Sequence, residues 1–357
     1  MWRFFAVGLL VVLAVVTALT NGSTYHPHTR TYYIAAEDGE WNYAPGGHDL
    51  ASHGPVPQPY SDQLVYSKTR YIEYTDASFT AKKPQAEWLG ILGPIIRGVP
   101  GDTIKVVFKN RAAKPYSIHP HGVEYTKENE GAMMMDGDDG AGGPLDAATM
   151  QQAMRDSAGA AGGMVAPGGS FTYTWHVRPD AGPQPGQGSS RVWLYHSHVT
   201  PDDIYDGVIG PIIITSPQHA RADGSPDDVD HEFVALFMIF DESKPGMTDD
   251  EHEGAQKHAM NGRIFSNLTG FIMNQGDRVR WHLLDLGNEP DVHTPHWHGN
   301  VVKTETGLTT DVVELLPASM RSVDMIPDAA GLWMFHCHVA DHMEAGMMTQ
   351  YLVLHGH

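Results

Sequence analysis

The sequence predicts an all-β protein of two domains, each a Greek-key β-barrel or sandwich. Its 357 residues suit two domains better than one, since domains usually run to about 100–200 residues. The 38 glycines and 24 prolines favour turns over long helices. Short β-rich runs separated by Gly, Pro and Asp recur along the chain, and this spacing is typical of sandwiches and barrels.

Ten β-rich runs support the all-β prediction, and they fall into two sets. The first set is 31–36, 103–109, 170–177, 191–198 and 211–215, and the second is 232–240, 278–284, 321–326, 332–338 and 350–354. The polar stretch 216–230 separates the two sets and is the best candidate for a linker. We therefore expect a first domain over 31–217 and a second over 228–357.

The two halves repeat one another in the same order. Each opens a strand with a Gly-Asp pair, at Gly101 and at Gly276, continues to a His-x-His-Gly motif and closes with an aromatic strand that ends in His-x-His. Two copies of one domain are the simplest interpretation. The first copy also carries a Gly-, Met- and Asp-rich insertion over 132–167, and a stretch of that length is either disordered or functional.

The charge balance excludes some classes of partner. With 43 acidic against 23 basic residues the net charge is −20, which argues against nucleic acid and against anionic membrane surfaces. An acidic surface is compatible with collecting cations, and it equally well serves solubility alone.

The N-terminal segment, residues 1–22, has the composition of an export signal. One arginine precedes a mostly apolar run from Phe4 to Leu19, which ends in polar and small residues. This pattern predicts a signal peptide, with an uncleaved N-terminal anchor as the alternative. In either case we expect the mature protein to be secreted, periplasmic or on the outer face of the membrane.

Histidine spacing carries the chemical signal. The chain has 22 histidines, and four His-x-His pairs stand at the ends of predicted strands. Because alternate residues of a strand share a face, each pair directs two imidazoles to one point. Eight imidazoles without a carboxylate suit copper better than calcium or magnesium, and since zinc is satisfied by four ligands, they indicate several metal ions. The pairs are His119/His121, His196/His198, His296/His298 and His336/His338.

The single cysteine, Cys337, lies between two of these histidines. His342 follows five residues later, Met347 ten later, and His293 precedes the third His-x-His pair. Two histidines and a cysteine with a weak axial methionine describe a blue-copper electron-transfer centre. For Met347 taken alone, core packing is the alternative. Cys337 points to one face of the strand, and its neighbours His336 and His338 point to the other. One tripeptide therefore links this centre to the metal ions of the His-x-His pairs by a short covalent route.

These motifs resemble those of multicopper oxidases, namely His-x-His-Gly, His-Ser-His, His-x-x-His-x-His-Gly and His-Cys-His-x3-His-x4-Met. The resemblance covers nearly the whole chain after the signal segment. Segments 32–37, 41–45, 118–125, 130–132 and 261–263 are similar to ceruloplasmin-type domains, whereas the two-domain arrangement is similar to that of small laccases. The resemblance implies two cupredoxin-like domains.

The resemblance also implies a ligand set of four coppers per functional unit: one type 1, one type 2 and two type 3. The first half reads His-Ser-His, without the cysteine, and therefore should lack a type 1 copper. The implied type 1 ligands are His293, Cys337, His342 and Met347; the type 2 ligands are His119 and His296; the type 3 ligands are His121, His196, His198, His298, His336 and His338.

In two-domain relatives the cluster forms between subunits of a closed three-chain ring. The resemblance thus implies a homotrimer with intersubunit trinuclear clusters, inactive as a monomer. The oxidant is O2. The reductant is a phenol or aromatic amine if the chain is laccase-like, and Fe(II) or Cu(I) if it is ceruloplasmin-like.

Several residues bear on the reductant and on proton supply. Glu253, His258 and Asp341 are similar in placement to residues that hold iron near the type 1 copper of ceruloplasmin. Alternatively, Glu253 belongs to an ordinary acidic loop over 249–253 and His258 to a surface turn. Glu124 is a candidate proton donor to reduced oxygen, or else a solvated salt-bridge residue. The run 133–135, three methionines, suits either Cu(I) binding or a hydrophobic plug.

Three other functions are weaker explanations of the sequence. A copper nitrite reductase carries its type 1 cysteine in the first domain, whereas Cys337 is in the second. A copper-storage or structural domain would lack some of the cluster ligands, but all eight are present. An electron-transfer protein needs only the type 1 set and leaves the four His-x-His pairs unexplained.

Overall fold

The computed structural model describes residues 25–132, 162–288 and 291–356. The predicted signal segment and the three methionines 133–135 lie outside the described residues. No helix in the described ranges is both long enough and apolar enough to cross a membrane.

The first half of the chain folds into two four-stranded sheets, with strand orders β2-β1-β4-β6 and β3-β8-β7-β5, and a short helix α1. Its elements are β1 (Thr29–Asn42), β2 (Val65–Tyr74), β3 (Ile96–Gly98), β4 (Thr103–Asn110), β5 (His119–Pro120), β6 (Ser170–His176), β7 (Ser190–His196), α1 (Asp203–Asp206) and β8 (Ile209–Thr215).

The second half forms a six-stranded sheet, β10-β9-β12-β16-β14-β15, and a four-stranded sheet, β11-β18-β17-β13. Its elements are β9 (His231–Asp241), α2 (Asp249–Ala255), β10 (Gln256–Met260), β11 (Ile272–Asn274), β12 (Val279–Asp285), β13 (Pro295–Trp297), β14 (Val302–Lys303), β15 (Thr309–Thr310), β16 (Met320–Met325), β17 (Gly331–Cys337), α3 (Ala340–Glu344) and β18 (Met348–Leu354).

The sheets of the two halves correspond strand by strand. β1 pairs antiparallel with β2 and parallel with β4, just as β9 pairs antiparallel with β10 and parallel with β12. Likewise β8 runs parallel to β3 and antiparallel to β7, as β18 does to β11 and β17. The predicted all-β fold class is confirmed, and the sequence repeat is a repeat of topology.

Three large apolar cores hold the structure together, one within each half and one between the halves. β9 contributes to two of them by alternation. Phe233, Ala235 and Phe237 face the core of the second half, while Val234 and Leu236 face the first half. Since both faces of β9 are buried, its sequence is a continuous apolar run rather than an alternating one.

A polar network crosses the interface between the halves. The buried carboxylate of Glu232 accepts hydrogen bonds from Ser190 at 2.9 Å and pairs with Arg97 at 2.7 Å and with His282 at 3.0 Å. Burial by itself raises the pKa of Glu232, but Arg97 and the bonds from His282 and Ser190 outweigh it and hold the pKa at about 2, below the usual 4.5. The ionised carboxylate is therefore part of the interface.

We expect this pairing to appear as acid sensitivity. A carboxyl whose folded pKa lies below its unfolded value stabilises the protein above about pH 4.5, and the stabilisation is lost as the pH falls towards 2. Across that window the free energy of unfolding of the metal-free protein should fall by about 3 kcal/mol more in the wild type than in Glu232→Gln. Urea unfolding at several pH values measures this. The exposed Glu40→Gln is the control, and equal slopes for both variants would contradict the expectation.

Candidate metal centres

The first candidate centre lies where β17 meets α3. Cys337 is the last residue of β17, His342 lies in α3, and His293 lies two residues before β13. The two Nδ1 atoms are 3.1 Å apart, and the cysteine Sγ is 3.6 Å from Nδ1 of His342 and 3.9 Å from Nδ1 of His293. All three side chains are buried.

This donor set fits a trigonal copper site. One metal bonded to three such ligands requires them to be about 3.5–3.8 Å apart, close to the observed separations. The backbone amide of Thr294 donates to Sγ at 3.3 Å. Met347 is fully buried, and its backbone is tied to both neighbours: its carbonyl accepts from the Cys337 amide at 3.0 Å, and its amide donates to the His342 carbonyl at 2.9 Å.

The electrostatics of this centre favour neutral imidazoles. Burial lowers the pKa of His293 to about 3 and also lowers the pKa of His342, so both rings present lone pairs. Burial raises the pKa of the Cys337 thiol, and a bound cation is what makes the thiolate stable there.

Two aspartates that the sequence reasoning missed surround the outer nitrogens of this centre. Asp291 lies 3.3 Å from Nε2 of His342 and 3.5 Å from Nε2 of His293. Asp285, fully buried at the end of β12, lies 3.9 Å from Nε2 of His293. Burial and the charge of Asp291 raise the pKa of Asp285 to about 8. Asp285 could have been recognised in the sequence because it is an acidic residue at the end of a mostly apolar strand.

Four histidines of the first half form a second centre, here called the first quartet: His119, His121, His196 and His198. Neighbouring ring centroids are 5.2–5.7 Å apart. The Nε2 atoms of His121 and His196 lie 3.2 Å apart, a separation that fits two ligands of one metal ion. Burial, followed by the neighbouring histidines, lowers the pKa of His121 to about 4 and of His196 to about 3.

The second half repeats this arrangement in a second quartet: His296, His298, His336 and His338. The Nε2 atoms of His298 and His336 are 3.1 Å apart. In both quartets the Nδ1 atoms are tied to backbone carbonyls in the same way: His119 to Glu130 and His296 to Asp311, then His196 to Ser197 and His336 to Cys337. Such bonds fix the ring so that Nε2 remains available to a metal.

The two quartets do not meet within the chain. His119 and His121 line one open cavity of about 500 Å³, His296 and His298 line another of about 500 Å³, and the two cavities share no residue. Among the described residues, no ring contact or hydrogen bond joins a histidine of one quartet to a histidine of the other. His198 and His338 are exposed at the outer edges.

Ser197 occupies in the first half the position that Cys337 occupies in the second. It makes hydrogen bonds there instead of belonging to a set of metal ligands. The Ser197 hydroxyl bonds to the buried carboxylate of Asp203, which also accepts from the amides of Val199 and Thr200 and from the Thr200 hydroxyl. No soft donor is present among these groups. The groups around Ser197 are therefore hard oxygen and nitrogen donors, unlike the thiolate that a type 1 copper requires.

The residues proposed for iron lie on one side of the first centre. His258 lies in β10, not in a surface turn, and its ring centroid is 5.0 Å from that of His342. Residues 249–253 are not a loop but most of helix α2, which begins with a capping box between Thr248 and Glu251. Glu253 accepts a hydrogen bond from Tyr60 at 3.0 Å, and Asp341 is exposed in α3. The donor atoms of Glu253, His258 and Asp341 do not all lie within 4.8 Å of one another.

Glu124 lies beside the first quartet. It is exposed, lines the same cavity as His119 and His121, and its backbone pairs with that of His176. Among the described residues its carboxylate forms no ion pair, and Arg178, which lines the same cavity and lies in the field of Glu124, is the candidate partner for the salt-bridge alternative.

The fold and these centres define a class, and comparison with known proteins gives the same one. The chain belongs to the multicopper oxidases, a family of copper-dependent oxidoreductases: two sequence models of that family match residues 72–152 and 240–357. A crystal structure of a multicopper oxidase superposes with a TM-score of 0.59 at 21% identity, covering 91% of this chain and 89% of that one. At this identity the superposition supports the fold alone.

The similar curated proteins are larger. Human hephaestin is 38% identical over 97% of this chain and 31% of its own length, and human ferroxidase HEPHL1 is 36% identical over 91% and 29%. Human ceruloplasmin is 36% identical over 94% of this chain and 32% of its own. The chain thus spans about a third of the length of these relatives.

Proposed function

We propose that this chain couples one-electron oxidation of a small reductant to four-electron reduction of O2 to water. The observation that carries the proposal is the position of one strand between the two kinds of centre. Cys337 at the end of β17 belongs to the two-histidine, one-cysteine set, while its neighbours His336 and His338 belong to the second quartet. Bound copper supplies the one-electron redox chemistry at both.

The proposed ligand roles are those that the family resemblance implies. His293, Cys337, His342 and Met347 hold type 1 copper, and the two quartets together hold one type 2 and two type 3 coppers. His119 and His296, whose Nδ1 atoms bond to distant carbonyls, hold type 2; His121, His196, His198, His298, His336 and His338 hold type 3. This gives four coppers per functional unit.

The protein's own part in the reaction is positioning. β17 is hydrogen-bonded to β18 on one side and to β13 on the other, so Cys337 and its neighbours are held at a fixed separation. Electrons cross two residues of backbone without any moving part. Glu124, beside the first quartet, supplies protons from solvent to oxygen as it is reduced.

Completion of the cluster requires a second set of four histidines, and we propose that another copy of the chain provides it in a homotrimer. The separate cavities and the exposed His198 and His338 support this. Val301 and Ile326, which line the second cavity, are 56% and 64% exposed, and such apolar side chains favour burial against a partner. The proposed trimer is secreted, periplasmic or on the outer face of a membrane.

For the reductant we propose a metal cation, Fe(II) in the first place. Tyr60 lies in the field of three carboxylates, those of Glu253, Glu344 and Asp341. Burial makes the largest contribution to its raised pKa, and the three carboxylates raise it further, to about 12. These carboxylates lie on the α2 and α3 side of the type 1 set, where His258 contacts His342. Carboxylate and imidazole side chains are suitable ligands for Fe(II), whereas binding of a phenol does not require metal ligands.

The reductant is tested by O2 uptake with Fe(II) and with 2,6-dimethoxyphenol. In Glu253→Gln/His258→Ala, kcat/KM for Fe(II) should fall about tenfold or more while phenol turnover persists, since two iron contacts are lost and the copper ligands are kept. Asp250→Asn, an exposed charge removal on the same helix, is the matched control. Unchanged Fe(II) turnover would identify a broad laccase, and no O2 uptake with either reductant would exclude the oxidase function itself.

A further inference from the structure

A cavity of about 550 Å³, with no histidine in its lining, lies between the two halves. Trp41 of β1 and Arg70 of β2 line it from the first half, and Arg263 lines it from the second. The remaining wall includes apolar side chains, among them Ile72 and Ile95. None of its lining residues has a role in the proposed oxidase reaction.

A tight turn presents Arg263 to this cavity. Asn261 and Gly262 both have positive φ, 46° and 72°, as a two-residue hairpin turn requires, and Met260 pairs with Arg263 across it. The Trp41 indole N–H donates to the Gly262 carbonyl at 2.5 Å. The turn is thereby fixed against β1, and Arg263 has little freedom to move away.

The two guanidinium groups lie over the same indole. The guanidinium carbon of Arg263 is 3.9 Å from the Trp41 ring centroid, and that of Arg70 is 5.1 Å from it. Arg263 donates to the Asn42 carbonyl, which leaves most of its N–H groups unused. The side chain of Arg70 makes no hydrogen bond or ion pair with any described residue, although it is half-buried.

The charges of Glu37 and Glu87 reach Arg70 and Arg263 respectively, but among the described residues no carboxylate is hydrogen-bonded to either guanidinium. Glu37 is opposite Arg70 in the sheet, but its oxygens are bonded to Lys82, Tyr74 and Arg111. The two lysines of the cavity are already paired, Lys82 with Glu37 and Lys83 with Glu73. The remaining acid, Glu87, accepts a hydrogen bond from the Thr269 hydroxyl. Burial first, and the charge of Arg70 second, lower the pKa of Arg263 to about 10.

We propose that this cavity binds a small oxyanion, the carboxylate or phosphate group of an organic molecule, between Arg70 and Arg263. The two guanidinium groups repel one another across a single indole, and among the described residues no carboxylate is bonded to either of them. The planar guanidinium matches carboxylate and phosphate oxygens with paired hydrogen bonds. The apolar wall accommodates the organic part of the ligand. Because the arginines come from different halves, the ligand also fastens one half to the other.

The test is isothermal titration calorimetry of the copper-loaded protein with succinate and, separately, with inorganic phosphate. Saturable binding is expected in the wild type, weakened about tenfold or more in Arg70→Met. Arg70 makes no hydrogen bond through its side chain, so this variant should fold normally, and thermal unfolding without ligand verifies it. Arg191→Met is the matched control, since that guanidinium lies 4.1 Å over Trp193 outside the cavity.

Binding of succinate alone identifies a carboxylate ligand, binding of phosphate alone a phosphate ligand, and binding of both a site that recognises oxyanion charge. The proposal is overturned if neither probe binds at about millimolar concentration, if Arg70→Met binds as tightly as the wild type, or if Arg191→Met loses affinity equally.

Discussion

Replacing Cys337 with serine is expected to abolish O2 consumption with both Fe(II) and a phenol. The thiolate is the soft ligand of the type 1 set and the first atom of the covalent route to the second quartet, and a hydroxyl supplies neither function. Serine is close to cysteine in size, so the fully buried site is not overpacked. The copper content should fall from four to three per functional unit, and the intense thiolate charge-transfer colour should disappear.

Two measurements keep this prediction specific. Circular dichroism and thermal unfolding of the metal-free variant distinguish loss of the centre from loss of the fold. Copper analysis must show that the histidine quartets are still loaded. Oxidase activity retained by a variant with three coppers would mean that electrons reach the cluster without passing through Cys337, and the proposed route would be wrong.

Two inactive variants are expected to restore activity when they are assembled together. His121→Ala disables the first quartet, His298→Ala disables the second, and each variant alone should be inactive. If a first quartet always faces the second quartet of another chain, random assembly of equal amounts gives two intact quartets at about one quarter of the interfaces. Co-expressed chains should therefore show about a quarter of the wild-type activity per trimer.

The same mixture has a clear negative outcome. If both quartets of a cluster belonged to one chain, no mixed assembly would contain an intact cluster, and activity would stay at background. A mass of three chains by light scattering, together with restored activity, is the combined result expected for the homotrimer. A monomeric mass with wild-type activity would exclude it.

Strands with buried faces were predictable from the sequence, whereas polar elements were not. β9 and β12 were found because their apolar residues form long runs. β2 was missed because Ser67, Lys68, Thr69 and Arg70 have the composition of a loop. Lys68 is nevertheless buried there, paired with Glu242 of the second half, and that partner is too distant in sequence to be predicted. Helix α2 was missed although Thr248 and Glu251 form a capping box that the sequence does display.

The residues proposed as metal ligands could be selected from the sequence because each set is local to a strand end. His-x-His spacing depends only on the two-residue period of a strand. His342 follows Cys337 in α3, and Met347 lies directly before β18. The surroundings were not predictable. Asp285 approaches His293, and Asp291 approaches His342, only in the folded structure, and the separation of the quartets depends on how the two halves pack.

The hydrogen bond between Ser197 and Asp203 in the first half has a consequence for how the protein matures. There, Ser197 and Asp203 satisfy one another, so that half can reach its final structure without any ion. The second half instead encloses a thiol, two uncharged imidazoles and an aspartate with no hydrogen bond to its oxygens among the described residues. If the second half binds copper as proposed, we expect its last stage of folding to depend on copper supply, so that in a copper-poor cell the first half is fully folded and the second is not.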